Sequence, residues 1–341
     1  MKIAIDARYG LSGIGRFLIG ILDNLDYDKN EYYLFGKEDI LKKYSKAKII
    51  NTDLSPFSKK GLFDASFKIT KDMDYYYSPN FIIPYTVKCK VITTLHDIIF
   101  LDMPEVNSGF VDKAIKKFLL KRCMKKSINV FTVSNFSKNR ISYHFPKYSN
   151  KIIAKYPAVS SSFYNEEFIK EKDNHIIFVG NVKKNKGLKT LIEAFDKVSL
   201  VDNDMILYIV GDSESFKNKD SEIDKYLGNK NIKFTGYIDD NELKDLIKKA
   251  KFLIQPSLYE GFGLPPLEAL YLGTKPIISD IDVFKEVYTN LPVEFFKLGD
   301  SDSLKDKIFN SSYLLEKIDY DELNKKYSHK EYAKSIEEKF V

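Results

Sequence analysis

Short apolar runs rich in Ile, Val, Tyr and Phe recur along this chain, and between them lie longer segments whose apolar positions fall three and four apart. The first pattern predicts buried strands at 2–7, 32–36, 75–79, 91–97 and 129–134, and again at 176–180, 205–211, 232–237, 251–257, 275–280 and 293–296. The second predicts helices between them, among them 16–25, 187–199, 241–250 and 266–272. Near-continuous apolar strands alternating with helices imply parallel sheets covered on both faces. The strands are too many for one ordinary doubly wound sheet, so two such domains in tandem are expected. The series breaks at 155–174, KYPAVSSSFYNEEFIKEKDN, a polar stretch with a proline and a serine cluster. The expectation is an α/β chain with one doubly wound, Rossmann-like domain over 1–165 and a second over 166–325, with a helix at 326–341 packing back on the first.

Sheets of this kind place ligands at the carboxyl ends of their strands. If the two domains face each other, loops from both line one central cleft. The loop DARYGLSGIGRF (6–17) offers Gly13 and Gly15 at a helix start, where free N–H groups and a partial positive charge favour a diphosphate. An ordinary strand-to-helix turn would read the same way. The loop VGNVKKNKG (179–187) carries Lys183, Lys184 and Lys186 ahead of a helix, either an anion site or a solvated cluster. The stretch PSLYEGFGLPPLEALYLG (256–273) sets Glu260 and Glu268 around two glycines and two prolines. Because proline disfavours helix before it, Glu260 is expected in the loop and Glu268 in the first turn of the helix that follows. Two carboxylates flanking an amide-lined pocket suit a nucleotide-sugar, one accepting from sugar hydroxyls and the other from ribose. Glu268 also has a structural reading as a counter-charge at a helix start, whereas an acid in a glycine loop gains little structurally. Of four histidines only His96 ends a strand, as a ligand contact or a capping group, while His144 and His329 read as surface residues and His175 precedes a strand. Several Asp-x-Asp pairs occur, and the best placed, Asp280 and Asp282, reads as turn chemistry. No metal site is expected, since no His/Cys spacing of a metal centre is present.

Composition narrows the class. With 341 residues, 44% hydrophobic and 30% charged, the chain has ample core, and the opening MKIAID leads straight into a strand rather than a secretory leader. No apolar run reaches the roughly 18 residues that span a bilayer. Two cysteines make no disulfide framework, so a cytoplasmic location is expected. A net charge of +6 is modest, and no nucleic-acid partner is expected. The charge does cluster at FVDKAIKKFLLKRCMKKS (110–127). There Val111, Ile115, Phe118 and Leu119 are expected to face the core. Lys113, Lys117 and Lys121 then face water or, without insertion of the helix, an anionic membrane surface.

Taken in order, these motifs resemble the retaining nucleotide-sugar glycosyltransferases of family four, of GT-B fold, and their mannosyltransferase-like branch. The resemblance rests on IAIDARYGLSGIGRF, TTLHDIIFLDMPE, FTVSNFSKNRI, FVGNVKKNKGLKTLIEAF and the long run FTGYIDDNELKDLIKKAKFLIQPSLYEGFGLPPLEAL, followed by GTKPIISDIDVFKEV. It implies that the first domain binds the acceptor and the second the donor. Gly13 and Gly15 would approach the donor diphosphate, His96 would contact the transferred sugar, Lys186 would neutralise the diphosphate and Glu260 would bind sugar hydroxyls. Phe262, Gly263 and Leu264 would line the donor pocket, Glu268 would hold the ribose, and the backbone at Tyr237 and Ile238 would meet the base. Family members commonly carry an arginine where this chain has Asn181, so Lys183 or Lys184 would have to reach in, or Lys186 would serve alone. The implied activity is metal-independent transfer of a hexose, GDP-mannose being the first expectation for the donor, to a glycan or lipid-linked glycan in surface polysaccharide synthesis. The enzyme would be peripheral at the inner face of the membrane. A UDP-sugar donor and a catalytically silent partner subunit are the alternatives. A nicotinamide-dependent oxidoreductase would need a three-glycine fingerprint and an acid after the second strand, and neither is present.

Overall fold

The computed structural model describes residues 1–10, 12–164, 168–211 and 228–341; Leu11 of the glycine loop and residues 165–167 of the polar stretch lie outside the described residues. The chain divides into two compact units, Met1–Ala158 with Asp321–Val341, and Val159–Tyr320. The first crossing thus falls inside the polar 155–174 stretch, and the return comes earlier than the 326 expected.

In the first unit seven strands are described: β1 (Lys2–Asp6), β2 (Glu31–Gly36), β3 (Lys48–Asn51), β4 (Tyr75–Ser78), β5 (Lys90–Leu95), β6 (Ser127–Thr132) and β7 (Ile152–Ala154). They pair in parallel in the order β3-β2-β1-β4-β5-β6-β7. Alternate residues of each strand face opposite sides, so each strand feeds two cores. On one side Ile3, Ile5, Tyr32, Leu34 and Tyr77 pack against helix α1 (Gly13–Leu22), through Phe17, Leu18, Ile21 and Leu22. On the other, Ala4, Phe35 and Tyr76 meet Phe67, Val91 and Cys123, the last from helix α2 (Phe110–Lys126).

The second unit contains, among the described residues, β8 (His175–Val179), β9 (Ile206–Val210), β10 (Ile232–Gly236), β11 (Phe252–Gln255), β12 (Lys275–Ser279) and β13 (Glu294–Phe296). All their pairings are parallel, in the order β10-β9-β8-β11-β12-β13. Helix α3 (Leu188–Ser199) buries Leu191, Ile192, Phe195 and Val198 against Phe178, Leu207 and Ile254. Two further helices matter for the site: α4 (Leu264–Tyr271) and α5 (Asp282–Tyr288). Each sheet reverses its winding beside its own first strand, between β1 and β4 and between β8 and β11, where doubly wound folds leave a crevice for ligands.

A last helix, α6 (His329–Glu337), belongs to the first unit, where it buries Tyr332, Ala333 and Ile336 beside α1. The Tyr32 hydroxyl donates to Glu337 at 2.5 Å, and the amide of Asp26 donates to the same oxygen at 3.0 Å.

Several expectations need correction. β3 and β7 were not foreseen, because each holds two consecutive isoleucines among polar residues at a sheet edge, too little apolar sequence to stand out. Helix α4 begins at Leu264, before both prolines, so Glu268 lies in its second turn. The first turn has no intrahelical use for its N–H groups, which is why Pro265 and Pro266 fit there. His329 is not a surface residue: its ring packs on Gly20 of α1, where a Cβ would stand 2.3 Å from its Nε2, and burial lowers its pKa. Of the apolar residues of α2 expected in the core, only Leu119 is buried, while Val111, Ile115 and Phe118 are exposed.

Candidate functional site

In the second unit the loops after β8 and β11 meet at the winding reversal. Asn185, buried, joins them. Its carbonyl accepts from the amide of Leu258 at 2.7 Å, and its side-chain amide donates to the carbonyl of Tyr259 at 3.2 Å. Gly187 closes the first loop with φ 65° and lies against the second; a Cβ there would stand 1.9 Å from the carbonyl oxygen of Pro256. This backbone clamp brings Lys186 to Glu260, with Nζ 2.6 Å from Oε1. The Ser257 hydroxyl donates to the same oxygen at 2.7 Å, and is itself held by Gln255 Nε2 at 2.9 Å. Ser257 in turn accepts, through its carbonyl, from the Ser279 hydroxyl at 2.5 Å. Glu260 is therefore oriented from three strands' worth of sequence, which corrects the view that an acid in this loop has no structural tie. Both bonds fall on Oε1, so Oε2 is the atom left to accept from a ligand hydroxyl. An ammonium has three protons and Lys186 gives one to Glu260, leaving two for an anion.

The neighbouring backbone is equally constrained. Gly263 has φ 87°, a Cβ there would stand 2.5 Å from the Phe284 ring of α5, and its carbonyl accepts from the Tyr288 hydroxyl. The Phe262 side chain is buried, and Leu264 opens α4. Glu268 is half-buried, one turn further along α4. Asn181, Lys183 and Lys184 are exposed in the loop after β8. Tyr237 and Ile238 follow β10, at the sheet edge two strands from β8, with Tyr237 largely exposed. The structure thus joins Lys186 directly to Glu260 and places the other second-unit candidates at carboxyl ends of the same sheet or on α4.

The first unit has its own winding reversal, between β1 and β4. Ser12 caps α1 by accepting from the amide of Gly15. A Cβ on Gly15 would stand 1.8 Å from the carbonyl oxygen of Gly10, so the turn requires glycine there, whereas Gly13 has open space around it. His96 follows β5, half-buried, with Nε2 3.1 Å from the carbonyl oxygen of Pro79 and its ring edge-on to Phe17 at 4.8 Å. Burial pushes its pKa down to about 4, against the opposing pull of the Pro79 carbonyl. The ring is therefore neutral at pH 7, donates from Nε2, and keeps Nδ1 as an acceptor. A neutral ring can accept from a hydroxyl but brings no charge to a phosphate.

One buried cluster escaped the sequence reading. Arg8 forks onto Asp6 at 2.8 and 2.7 Å and donates to the carbonyl of Gly61 at 3.0 Å, while Tyr76 donates to Asp6 at 2.8 Å. Burial works against the Arg8 charge, but Asp6 outweighs it. The cluster binds the segments after β1 and β3 to β4. The available signal was two opposite charges two residues apart at a strand's carboxyl end.

Comparisons with known proteins place this geometry. Residues 161–328 match the family described as glycosyl transferases group 1. The chain is 34% identical over 198 residues to the O-antigen chain mannosyltransferase RfbU of Salmonella typhimurium, covering 58% of this chain and 54% of that one. It is 24% identical over 230 residues to the O-antigen chain mannosyltransferase B of Escherichia coli, covering 63% and 59%. The matched segments thus span little more than half the length of these two relatives. A solved structure of Anabaena HepE in complex with UDP and glucose shares the fold with a TM-score of 0.73 at 16% identity, over 99% of this chain and 98% of that one. Residues 161–328 thus match the group 1 glycosyl transferases, and the two Rossmann-like units have the GT-B fold.

Proposed function

We propose that this protein transfers a hexose from a nucleotide-diphosphate sugar, GDP-mannose first, to a glycan or lipid-linked glycan during surface polysaccharide synthesis. The observation that carries the reading is the convergence of Lys186, Glu260 and Ser257 at the winding reversal of the second unit. Two relatives named as O-antigen mannosyltransferases support mannose as the sugar. Diphosphate would compete with Glu260 for Lys186, and the N-terminus of α3, just after Gly187, would add its partial positive charge. Glu260 Oε2 would accept from sugar hydroxyls and Glu268 from the ribose; in the first unit, His96 Nδ1 would accept from a ligand hydroxyl. In the proposed retaining course the leaving diphosphate takes the acceptor's proton on the face it departs from. The protein positions the two and stabilises charge growing on the phosphate, without a metal. No helix among the described residues is long and apolar enough to cross a membrane. We place the enzyme at the inner face of the cytoplasmic membrane, held through the basic helix α2.

The test is direct. The purified chain is incubated with labelled GDP-mannose and with UDP-sugars, with and without chelator, and donor consumption and the anomeric configuration of the product are measured. Turnover of GDP-mannose with retention is expected. Turnover of a UDP-sugar alone would move the donor. Complete inertness, with nucleotide binding intact, would favour a silent partner subunit, the reading that Asn181 motivates.

A further inference from the structure

Helix α2 is apolar on two opposed sides. Leu119, Leu120, Cys123 and Met124 are buried, while Phe110 is 86% exposed, Val111 69%, Ile115 54% and Phe118 60%. Val111, Ile115 and Phe118 are spaced four and three apart, so they form one outward stripe, and the next position on it is Arg122. The Arg122 guanidinium lies 3.9 Å from the Tyr85 ring and donates to the carbonyls of Ile83 and Pro84. Tyr85 stacks on Phe63 at 4.9 Å with the planes 8° apart, and Phe63 is 63% exposed. The stripe therefore runs on past the helix into a pair of aromatic rings. Lone exposed apolar residues need no explanation, but a continuous file of them does.

Its surroundings say what covers it. Lys113, Lys117, Lys121 and Lys125 follow one flank of α2, and Lys59 and Lys60 immediately precede the Phe63 turn. The nearby acid, Asp112, is taken up by Lys116 at 2.6 Å. An apolar file bordered by unopposed lysines complements a surface with anionic headgroups above an apolar layer.

We infer that this face of the first unit docks on an anionic lipid bilayer, with Phe63, Phe110, Val111, Ile115 and Phe118 entering the interface and the lysines meeting the headgroups. The inference deepens the membrane location proposed above and rests on that reading. It departs from the expectation of a purely electrostatic contact. Insertion by these side chains adds a component that salt does not screen.

The chain contains no tryptophan, so Phe118→Trp supplies a single reporter at the centre of the stripe. Its emission should shift to the blue, and be quenched by brominated lipid, on addition of phosphatidylglycerol-containing vesicles but not of pure phosphatidylcholine. Ile115→Ser with Phe118→Ser, and separately Lys117→Glu with Lys121→Glu, should each weaken vesicle co-sedimentation at least about ten-fold with melting temperature unchanged. High salt should reduce wild-type binding without abolishing it. A bound but water-exposed reporter, or serine variants that bind as well as wild type, would overturn insertion. So would a dimer in sedimentation equilibrium that the serine variants dissolve, because the stripe would then cover a second copy. Transfer to a water-soluble acceptor, measured without vesicles, is a separate readout: its failure alone counts against the proposed activity, and failure of docking alone leaves that activity standing.

Discussion

At the scale of single residues, the site depends on one oxygen shared by two donors. Glu260→Gln removes the charge that holds Lys186 while keeping the shape, so transfer should fall at least about a hundredfold, the usual scale for losing a key charged contact at the reacting centre. Melting temperature should change little, because the loop stays clamped by Asn185. Parallel assays of transfer and thermal unfolding check both, and near-normal transfer would remove Glu260 from the mechanism. Lys186→Ala should weaken binding of the nucleoside diphosphate by about 2–5 kcal/mol while leaving the nucleoside nearly unaffected. Titration calorimetry with both ligands separates the cases, and equal losses would mean that the lysine does not meet phosphate. The same titration on Lys183→Ala and Lys184→Ala asks whether either replaces the arginine absent at Asn181. None of these side-chain contacts was legible in sequence. Motif spacing brought Lys186 and Glu260 forward as separate residues, 74 positions apart, and only the parallel order of β8 beside β11 makes them neighbours.

At the scale of elements, the turn between β8 and α3 is the most exacting. Gly187 combines a left-handed backbone with contact against Pro256, so Gly187→Ala incurs both the roughly 1–2 kcal/mol of that conformation and a displacement of the β11 loop. The expected result is a lower melting temperature together with weaker diphosphate binding, because the same displacement separates Lys186 from Glu260. A variant that melts lower yet binds normally would show that the clamp is dispensable to the site. By contrast, Gly13→Ala should leave stability unchanged, since nothing stands near its missing Cβ. Element type was well foreshadowed wherever four or more apolar residues ran together, as in β8 and β9. It failed at β3 and β7, where neighbouring strands rather than local composition recruit the segment. It misjudged the start of α4, because proline is barred only from positions that need its N–H.

At the scale of the whole molecule, the C-terminal helix completes the first unit. Tyr332, Ile336 and Phe340 are buried there, and at about 1.5–3 kcal/mol for each large side chain their removal is comparable with the total stability of a domain, about 5–15 kcal/mol. Deleting 329–341 should therefore unfold the first unit and leave the second. Calorimetry would then show one transition instead of the wild-type pattern, and an unchanged first unit would contradict the packing of α6. Acid should act on the histidines. His96, His175 and His329 all have pKa values lowered by burial, His96 to about 4 from an ordinary 6.5. The unfolded chain thus binds protons more readily than the folded one. Stability is complete above about pH 6.5 and declines as pH falls towards 4. Denaturant melts across that range should show a shallower decline in His96→Asn than in wild type, and identical slopes would place His96 outside the acid response.

The sequence by itself determined the alternation of parallel strands and helices, the presence of two doubly wound units, and the loops for which chemistry is proposed. These follow from apolar periodicity and from the demands of glycine and proline, which are local properties. Tertiary structure alone decided what those loops do to one another. It buried Arg8 against Asp6, turned His96 into a neutral acceptor, joined Lys186 to Glu260, and returned the last helix to the first unit. It also decided which side of α2 is covered, since both sides are apolar and periodicity cannot choose between them. The physical reason is the same in each case: a charge, a ring or an apolar stripe takes its meaning from the surface it meets, and that surface is supplied by residues distant in the chain.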